Sequence, residues 1–110
     1  MIESRAGLDA VEAIADVEGV DGLFVGPSDL SLDTGLQGGE LDDVLRRIAA
    51  VCHKRGKLAG AFGMGAERIR GWVDLGYSFL AVNSDATFLL DAARAAVSAS
   101  RRSLPPDATR

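Results

Sequence analysis

The stretch Gly22-Leu23-Phe24-Val25-Gly26-Pro27-Ser28-Asp29-Leu30-Ser31 decides the fold that we predict for this chain. Its first residues are apolar and typical of a buried strand, and the strand must stop at the proline, which has no N–H to donate to a sheet. Asp29 follows at once, so its carboxylate lies at the carboxyl end of a predicted parallel strand. Parallel α/β folds carry their chemistry at that end of the sheet.

A second carboxylate repeats this arrangement one strand earlier, because Met1-Ile2-Glu3 reads as the end of another strand. Two carboxylates at neighbouring strand ends can hold one hard divalent cation such as Mg²⁺ or Mn²⁺, which prefer oxygen ligands. The single histidine leaves no second imidazole for a zinc site. From the residues alone, however, Asp29 is more often a turn or helix N-cap residue, and Glu3 a solvated one.

Strands and helices alternate along the whole chain. We predict strands at 1–3, 22–26, 57–62 and 79–83, and helices at about 8–15, 41–55, 66–75 and 87–101. Segment 31–39 reads as a polar, glycine-rich loop, and Gly56 and Gly76 fit the left-handed position that ends a helix. Alternation of this kind predicts the α/β class, with four parallel βα units and helices packed outside the sheet.

Four βα units are equivalent to half of a (β/α)₈ TIM barrel, although periodicity alone also allows a small open sheet of four strands. Both arrangements place Glu3 and Asp29 on the same rim. A half barrel has two open edges and an uncovered inner face, so we expect it not to persist as a monomer. We place this domain at 1–102 and a flexible tail, with Pro105 and Pro106, at 103–110.

The composition narrows the classes of function. The formal net charge is −4, so nothing favours binding to nucleic acid or to an anionic membrane. The chain has no apolar run long enough to span a bilayer. A single cysteine, Cys52, lies in an apolar helical pattern and cannot form an intramolecular disulfide. We therefore expect a cytoplasmic, globular protein in which Cys52 packs as a small hydrophobic residue.

Three runs of the sequence, at 2–5, 17–31 and 76–85, resemble the C-terminal half of the HpcH/HpaI aldolase family. The resemblance covers about 1–101 and implies a metal-dependent, class II pyruvate aldolase, a carbon–carbon lyase that cleaves 4-hydroxy-2-oxo acids to pyruvate and an aldehyde. It implies that Glu3 and Asp29 bind Mg²⁺ or Mn²⁺. It also implies that Gly26, Ser28 and Asp29 bind the substrate, a 2-oxo acid, through backbone N–H groups.

The resemblance assigns no catalytic residue to this chain, because the catalytic histidine and the pyruvate-binding arginine of the family belong to its N-terminal half. Relatives carry Gln-Ile-Glu where this sequence begins Met1-Ile2-Glu3. A fragment, a truncated gene and a half-sized relative would each have a sequence like this one. We expect a homo-oligomer or pairing with an N-terminal half, and little activity from the chain alone. The alternatives are a non-catalytic association module and a citrate-lyase-like acyl-CoA lyase.

Three further features have plain structural explanations. His53 is predicted at the C-terminal end of a helix, where a cation complements the helix dipole. Segment 60–65 reads as an ordinary βα loop rather than a phosphate loop, although Phe62 or Met64 could line a substrate pocket. The last helix has a wide apolar stripe and is predicted to lie in the core, although in relatives this region also packs onto a neighbouring subunit.

Overall fold

The computed structural model describes residues 1–63 and 65–105. Six helices and three strands lie in these ranges, and their bounds are α1 (Arg5–Asp9), α2 (Val11–Ala15), β1 (Gly22–Val25), α3 (Pro27–Thr34), α4 (Gly38–Lys54), β2 (Leu58–Phe62), α5 (Ala66–Asp74), β3 (Phe79–Ala81) and α6 (Asp85–Ser103). Met64, and residues 106–110 of the predicted tail, lie outside the described residues.

The strands form one parallel sheet in the order β1-β2-β3. Ile2 adds a parallel bridge to Val25 at the free edge of β1, so the predicted first strand is reduced to a single bridge. The predicted α/β class with parallel strands is confirmed. Because each strand lies beside the next one in sequence, the sheet is wound in one direction, as in a barrel, and lacks the reversal of order found in doubly wound sheets.

One face of the sheet is buried under helices. Leu23 and Val25 of β1 and Ala59 and Ala61 of β2 point into this core, which α4 fills with further apolar side chains, namely Leu45, Ile48, Ala49 and Cys52. Cys52 is fully buried, which confirms its predicted place. The structure therefore uses α4 as the main helical layer behind β1 and β2.

The opposite face of the sheet carries apolar side chains that the described residues leave uncovered. Leu58, Phe62 and Phe79 are 49%, 41% and 56% exposed. Phe24 and Phe79 meet edge to face across the central strand, with ring centroids 6.1 Å apart. Gly60 lies between them, and a Cβ there would come within 2.7 Å of Phe24 Cδ2. Parallel sheets are normally covered on both faces, so this inner face is unusual for an isolated domain.

The prediction of a loop at 31–39 was wrong. Helix α3 continues to Thr34 and ends at Gly35, whose φ is +76°, and α4 already begins at Gly38. Pro27 provides the first residue of α3, a position where its missing N–H costs nothing. Leu30 anchors the helix because its side chain is completely buried. A single buried residue in eight is too weak a periodic signal for a sequence pattern to detect.

Two other helical predictions need correction. The predicted helix at 8–15 is two short helices, α1 and α2, divided at Ala10. Helix α6 exists as predicted but contains no buried residue, so its placement in the core was wrong. Phe88 and Leu89 are 57% and 73% exposed. The physical reason is that the core is formed by the sheet, α4 and buried side chains of the other helices, and the described residues offer the apolar stripe of α6 no surface to pack against.

The predicted glycine caps are confirmed, since Gly56 and Gly76 follow α4 and α5 with φ values of +65° and +95°. Within the described ranges, none of the helices combines the length and the apolar character that crossing a membrane requires.

Candidate functional site

Glu3 is positioned by the bridge between Ile2 and β1. The backbone N–H of Ile2 donates to Phe24 O at 2.8 Å, and that of Gly26 donates to Ile2 O at 3.2 Å. The turn that follows Glu3 is also fixed, because Ser4 caps α1 by accepting a hydrogen bond from Gly7 N at 3.2 Å. Glu3 therefore lies at the carboxyl end of its short strand, beside Gly26.

Asp29 lies in the first turn of α3. Gly26 is the N-cap residue and makes no side-chain cap bond, so Asp29 is not the N-cap that its residue type allowed. The first helical hydrogen bond runs from Leu30 N to Gly26 O at 2.9 Å. The N–H groups of Ser28 and Asp29 belong to the first turn, which has no intrahelical acceptors, and can donate to an anion. The N–H of Gly26, the third group predicted to bind the substrate, already donates to Ile2 O and is not available in this structure.

The side chain of Glu3 occupies the space above Gly26. A Cβ added to Gly26 would lie 2.6 Å from Glu3 Oε1 and 2.8 Å from Glu3 Cγ. No residue other than glycine can stand at position 26 without moving this carboxylate. Gly26 therefore has two roles. It ends β1, and its lack of a side chain lets the segment that carries Glu3 approach the end of β1 closely.

The predicted site residues line one cleft at the carboxyl ends of the strands. This rim cleft has a volume of about 340 Å³, and its walls include Glu3, Gly26, Ser28, Asp29, Phe62 and Arg68. Phe62 lies there as predicted, at the end of β2. Among the described residues, no cluster of three or more His, Cys, Asp or Glu side chains could hold a metal. The cleft therefore offers at most two side-chain carboxylates to a cation.

Arg68 is the cleft residue that sequence reasoning missed. It is the third residue of α5, the helix that follows β2, just as Asp29 is the third residue of α3, the helix that follows β1. Its guanidinium carbon lies 4.9 Å from the centroid of the Trp72 ring. The sequence did contain a signal for Arg68, because Arg68 and Asp29 occupy equivalent positions after two neighbouring parallel strands. Such positions lie at the same rim of the sheet.

His53 lies away from this cleft. It is in the last turn of α4, as predicted, and its Cε1 atom would be 3.4 Å from a Cβ on Gly76, which precedes β3. Residues that precede a strand lie at its amino end. His53 therefore lies near the amino ends of the strands, whereas the cleft is at their carboxyl ends.

The shifted pKa values also lie outside the cleft. Burial raises the pKa of the Cys52 thiol and of Tyr77, whose hydroxyl donates to Leu45 O at 3.0 Å. Hydrogen bonds from Arg55 lower the pKa of Asp16 on the surface. These shifts follow from core packing and from a surface ion pair, so they give no independent sign of acid–base chemistry in this chain.

Comparison with known proteins identifies the family. The model of the HpcH/HpaI aldolase/citrate lyase family matches residues 1–92. A hydroxypyruvate/pyruvate aldolase from Roseovarius nubinhibens is 40% identical over 101 residues, which cover 84% of this chain and 38% of that protein. A 5-keto-4-deoxy-D-glucarate aldolase from Klebsiella pneumoniae is 43% identical over 88 residues, covering 76% and 34%.

The fold comparison gives the same result. The crystal structure of an HpcH/HpaI aldolase/citrate lyase family protein from Burkholderia cenocepacia superimposes with a TM-score of 0.74 and 35% identity, over 91% of this chain and 40% of that one. The chain thus spans about two fifths of the length of the proteins that it matches. Sequence, fold and the placement of the rim residues lead to one conclusion, that this chain belongs to the HpcH/HpaI aldolase/citrate lyase family.

Proposed function

We propose that this chain forms the metal-binding part of a pyruvate aldolase, a lyase that cleaves a 4-hydroxy-2-oxo acid into pyruvate and an aldehyde. The observation that supports it most is the approach of Glu3 to Gly26 in the same cleft as Asp29. The carboxylate of Glu3 lies above a glycine and lines the same cleft as the side chain of Asp29. Two carboxylates in one cleft are what a site for a small cation requires.

The residues fit a divalent cation such as Mg²⁺ or Mn²⁺. Both side chains offer hard oxygen ligands, and these ions are often bound by one or two carboxylates, with water and substrate oxygens as the remaining ligands. Glu3 and Asp29 would hold the cation. When bound, it would supply electrophilic stabilisation of the negative charge that develops on the keto oxygen as the carbon–carbon bond breaks.

The remaining groups of the cleft would bind and orient the substrate. The N–H groups of Ser28 and Asp29 can donate to the carboxylate of the 2-oxo acid at the start of α3. Phe62 gives the cleft an apolar wall that limits access of water. The proton of the substrate hydroxyl needs a base, and His53 lies at the opposite edge of the sheet. We assign the base to the other half of the barrel.

That other half would also cover the inner face formed by Phe24, Leu58, Phe62 and Phe79. The matched proteins are more than twice as long as the part that this chain spans, which leaves ample chain for four further βα units. We therefore propose a complete barrel assembled with an N-terminal half. A second copy of this chain on the same face is the competing arrangement, and light scattering across a concentration series would reveal it.

Titration with Mn²⁺, followed by the loss of the electron paramagnetic resonance signal of the free ion, tests the metal site directly. Asp29→Asn and Glu3→Gln each remove one charge and should weaken binding at least tenfold, since 1.4 kcal/mol of lost interaction is tenfold in affinity. His53→Ala is the matched control and should bind as the unchanged chain does. Equal affinities in all four proteins would contradict the assignment.

Activity has a separate test. The chain alone should release little or no pyruvate, because a general base contributes about 10² to 10⁴ in rate. The chain with an N-terminal half of a relative, fused or in trans, should release pyruvate, detected with lactate dehydrogenase. Strong turnover by the chain alone would refute the division of roles. An assembled barrel that binds Mn²⁺ but shows no turnover would favour the non-catalytic association module.

A further inference from the structure

The orientation of Arg68 is favoured by its surroundings. Trp72, four residues later on α5, is 1% exposed, and its indole N–H donates to Phe62 O at 2.9 Å. The guanidinium lies over this fixed ring, with its carbon 4.9 Å from the ring centroid. The stem of Arg68 passes close to Gly63, where a Cβ would be 3.1 Å from Arg68 Cγ. An exposed arginine thus lies over the ring of a buried tryptophan at the end of β2, a contact that favours this orientation of its guanidinium.

The guanidinium also has its hydrogen-bonding capacity free within the part of the chain that the structure describes. Ion pairs there join other arginines to acids, namely Arg46 to Asp43, Arg47 to Glu12 and Arg55 to Asp16. With the residues that the structure describes, Arg68 forms no ion pair and no side-chain hydrogen bond. It also borders a groove with Asp42 and Asp74, yet neither acid forms an ion pair with it. A guanidinium has five N–H donors, arranged in a fork that fits a carboxylate.

The charges of the rim cleft indicate what those donors would bind. Glu3 and Asp29 carry two negative charges, which a divalent cation would balance, so Arg68 remains as an unbalanced positive charge. The N–H groups of Ser28 and Asp29, on the β1–α3 side, serve the carboxylate of the 2-oxo acid in our proposed function. Phe62 and Arg68 line the cleft from the β2–α5 side, so they are the cleft residues left to contact the remainder of a substrate bound in this way.

We infer that Arg68 is a specificity residue that binds a second carboxylate, carried by the aldehyde portion of the substrate. The inference rests on the proposed function and deepens it, since it assigns to Arg68 the preference for an aldehyde that carries a carboxylate. Arginine on an aromatic face is suited to this task, because stacking orients the fork while its edge stays open to the ligand.

The first test uses Trp72, the only tryptophan of the chain, as a reporter. Succinate, a dicarboxylate, should change its fluorescence in a saturable way, whereas the uncharged diamide of succinate should not. Arg68→Met keeps an unbranched apolar stem without the charge and should weaken succinate binding about tenfold or more. Arg70→Met, an exposed arginine on the same helix but outside the cleft, should bind as before. No saturable change in the unaltered chain, or equal binding by both variants, would overturn the inference.

The second test uses the assembled barrel in the direction of carbon–carbon bond formation, with pyruvate as donor. Two small aldehydes are compared as acceptors, glyoxylate, which carries a carboxylate, and glycolaldehyde, which does not. Arg68→Met should lower the ratio of their kcat/KM values by about tenfold to a hundredfold, mainly through KM for glyoxylate. Arg68→Lys should restore part of the preference, because it keeps the charge but loses the fork.

The outcomes separate this inference from the proposed function. If both acceptors lose kcat/KM equally in Arg68→Met, Arg68 acts on the pyruvate portion and the inference is wrong while the aldolase remains. If Mn²⁺ binds normally and the ratio is unchanged, the inference alone fails. If Asp29→Asn leaves Mn²⁺ binding intact while Arg68→Met abolishes succinate binding, the metal assignment fails and the anion site stands.

Discussion

Gly26→Ala should damage the proposed metal site while leaving the fold intact. Gly26 has φ −101° and ψ 90°, an extended conformation open to alanine, so the backbone needs no strain to accept the change. The new Cβ would lie 2.6 Å from Glu3 Oε1 and 2.8 Å from Glu3 Cγ. Carbon atoms in contact are normally about 3.5 to 4.0 Å apart. The carboxylate of Glu3 must therefore move by roughly an ångström.

A displacement of this size is large for a metal ligand, because ligand distances in a working site hold to within about 0.2 Å. Groups that orient a ligand typically contribute 10-fold to 100-fold to metal affinity, which is about 1.4 to 2.8 kcal/mol. The effect on folding should be much smaller. Replacing a compatible glycine gains about 0.4 to 1 kcal/mol, and an off-rotamer Glu3 costs about 0.5 to 1.5 kcal/mol, so the two nearly cancel.

Mn²⁺ titration and urea unfolding of the same samples measure the two effects separately. Gly39→Ala is the matched control, since a Cβ there meets nothing within 4 Å. We expect Gly26→Ala to lose at least tenfold in Mn²⁺ affinity with its unfolding midpoint nearly unchanged, and Gly39→Ala to keep its affinity. Unchanged affinity in Gly26→Ala would refute the reasoning, and so would an equal loss in both variants.

Two further predictions concern the sheet and its core. Gly60→Ala should lower the free energy of unfolding by about 0.5 to 1.5 kcal/mol in urea, because its Cβ would lie 2.7 Å from Phe24 Cδ2 and 3.0 Å from Phe79 Cδ1 and would force this edge-to-face pair apart; an unchanged midpoint would contradict this packing. Burial raises the pKa of Tyr77 above its ordinary value of 10.0, so the stability that this residue contributes is complete below pH 10.0 and is lost as the pH rises above it. Tyr77 is the only tyrosine, so tyrosinate absorbance in native protein should appear only together with unfolding, and titration of the native chain near pH 10.0 would refute it.

Local chemistry was enough to predict the rim of the sheet. The proline after Gly26 fixes where β1 stops, and that alone places Asp29 at a carboxyl end. Gly56 and Gly76 end their helices because a left-handed residue is needed there. Each of these features depends on one or two residues and their immediate neighbours. This is why the sequence predicts them correctly.

The misses depend on contacts between distant parts of the chain. Arg68 is one of several charged residues on α5, and only the fixed position of Trp72 distinguishes it from Arg70. The prediction that α6 is buried required another surface for its apolar stripe to pack against. Sequence periodicity cannot show whether such a surface exists. The contact of Glu3 with Gly26 requires segments 23 residues apart in sequence to meet, and that register comes from the sheet.

The exposed α6 implies that this chain has two levels of local stability. Its 19 residues include none that is buried, so α6 lacks the tertiary packing from which helices in proteins gain most of their stability. Its amide hydrogens should therefore exchange with solvent through local opening, long before those that join β1 to β2, which need global unfolding. Brief trypsin digestion should cut first after Arg94 and Arg101 within α6. A partner that covers the apolar stripe would slow both processes, and the degree of protection would measure how tightly it binds.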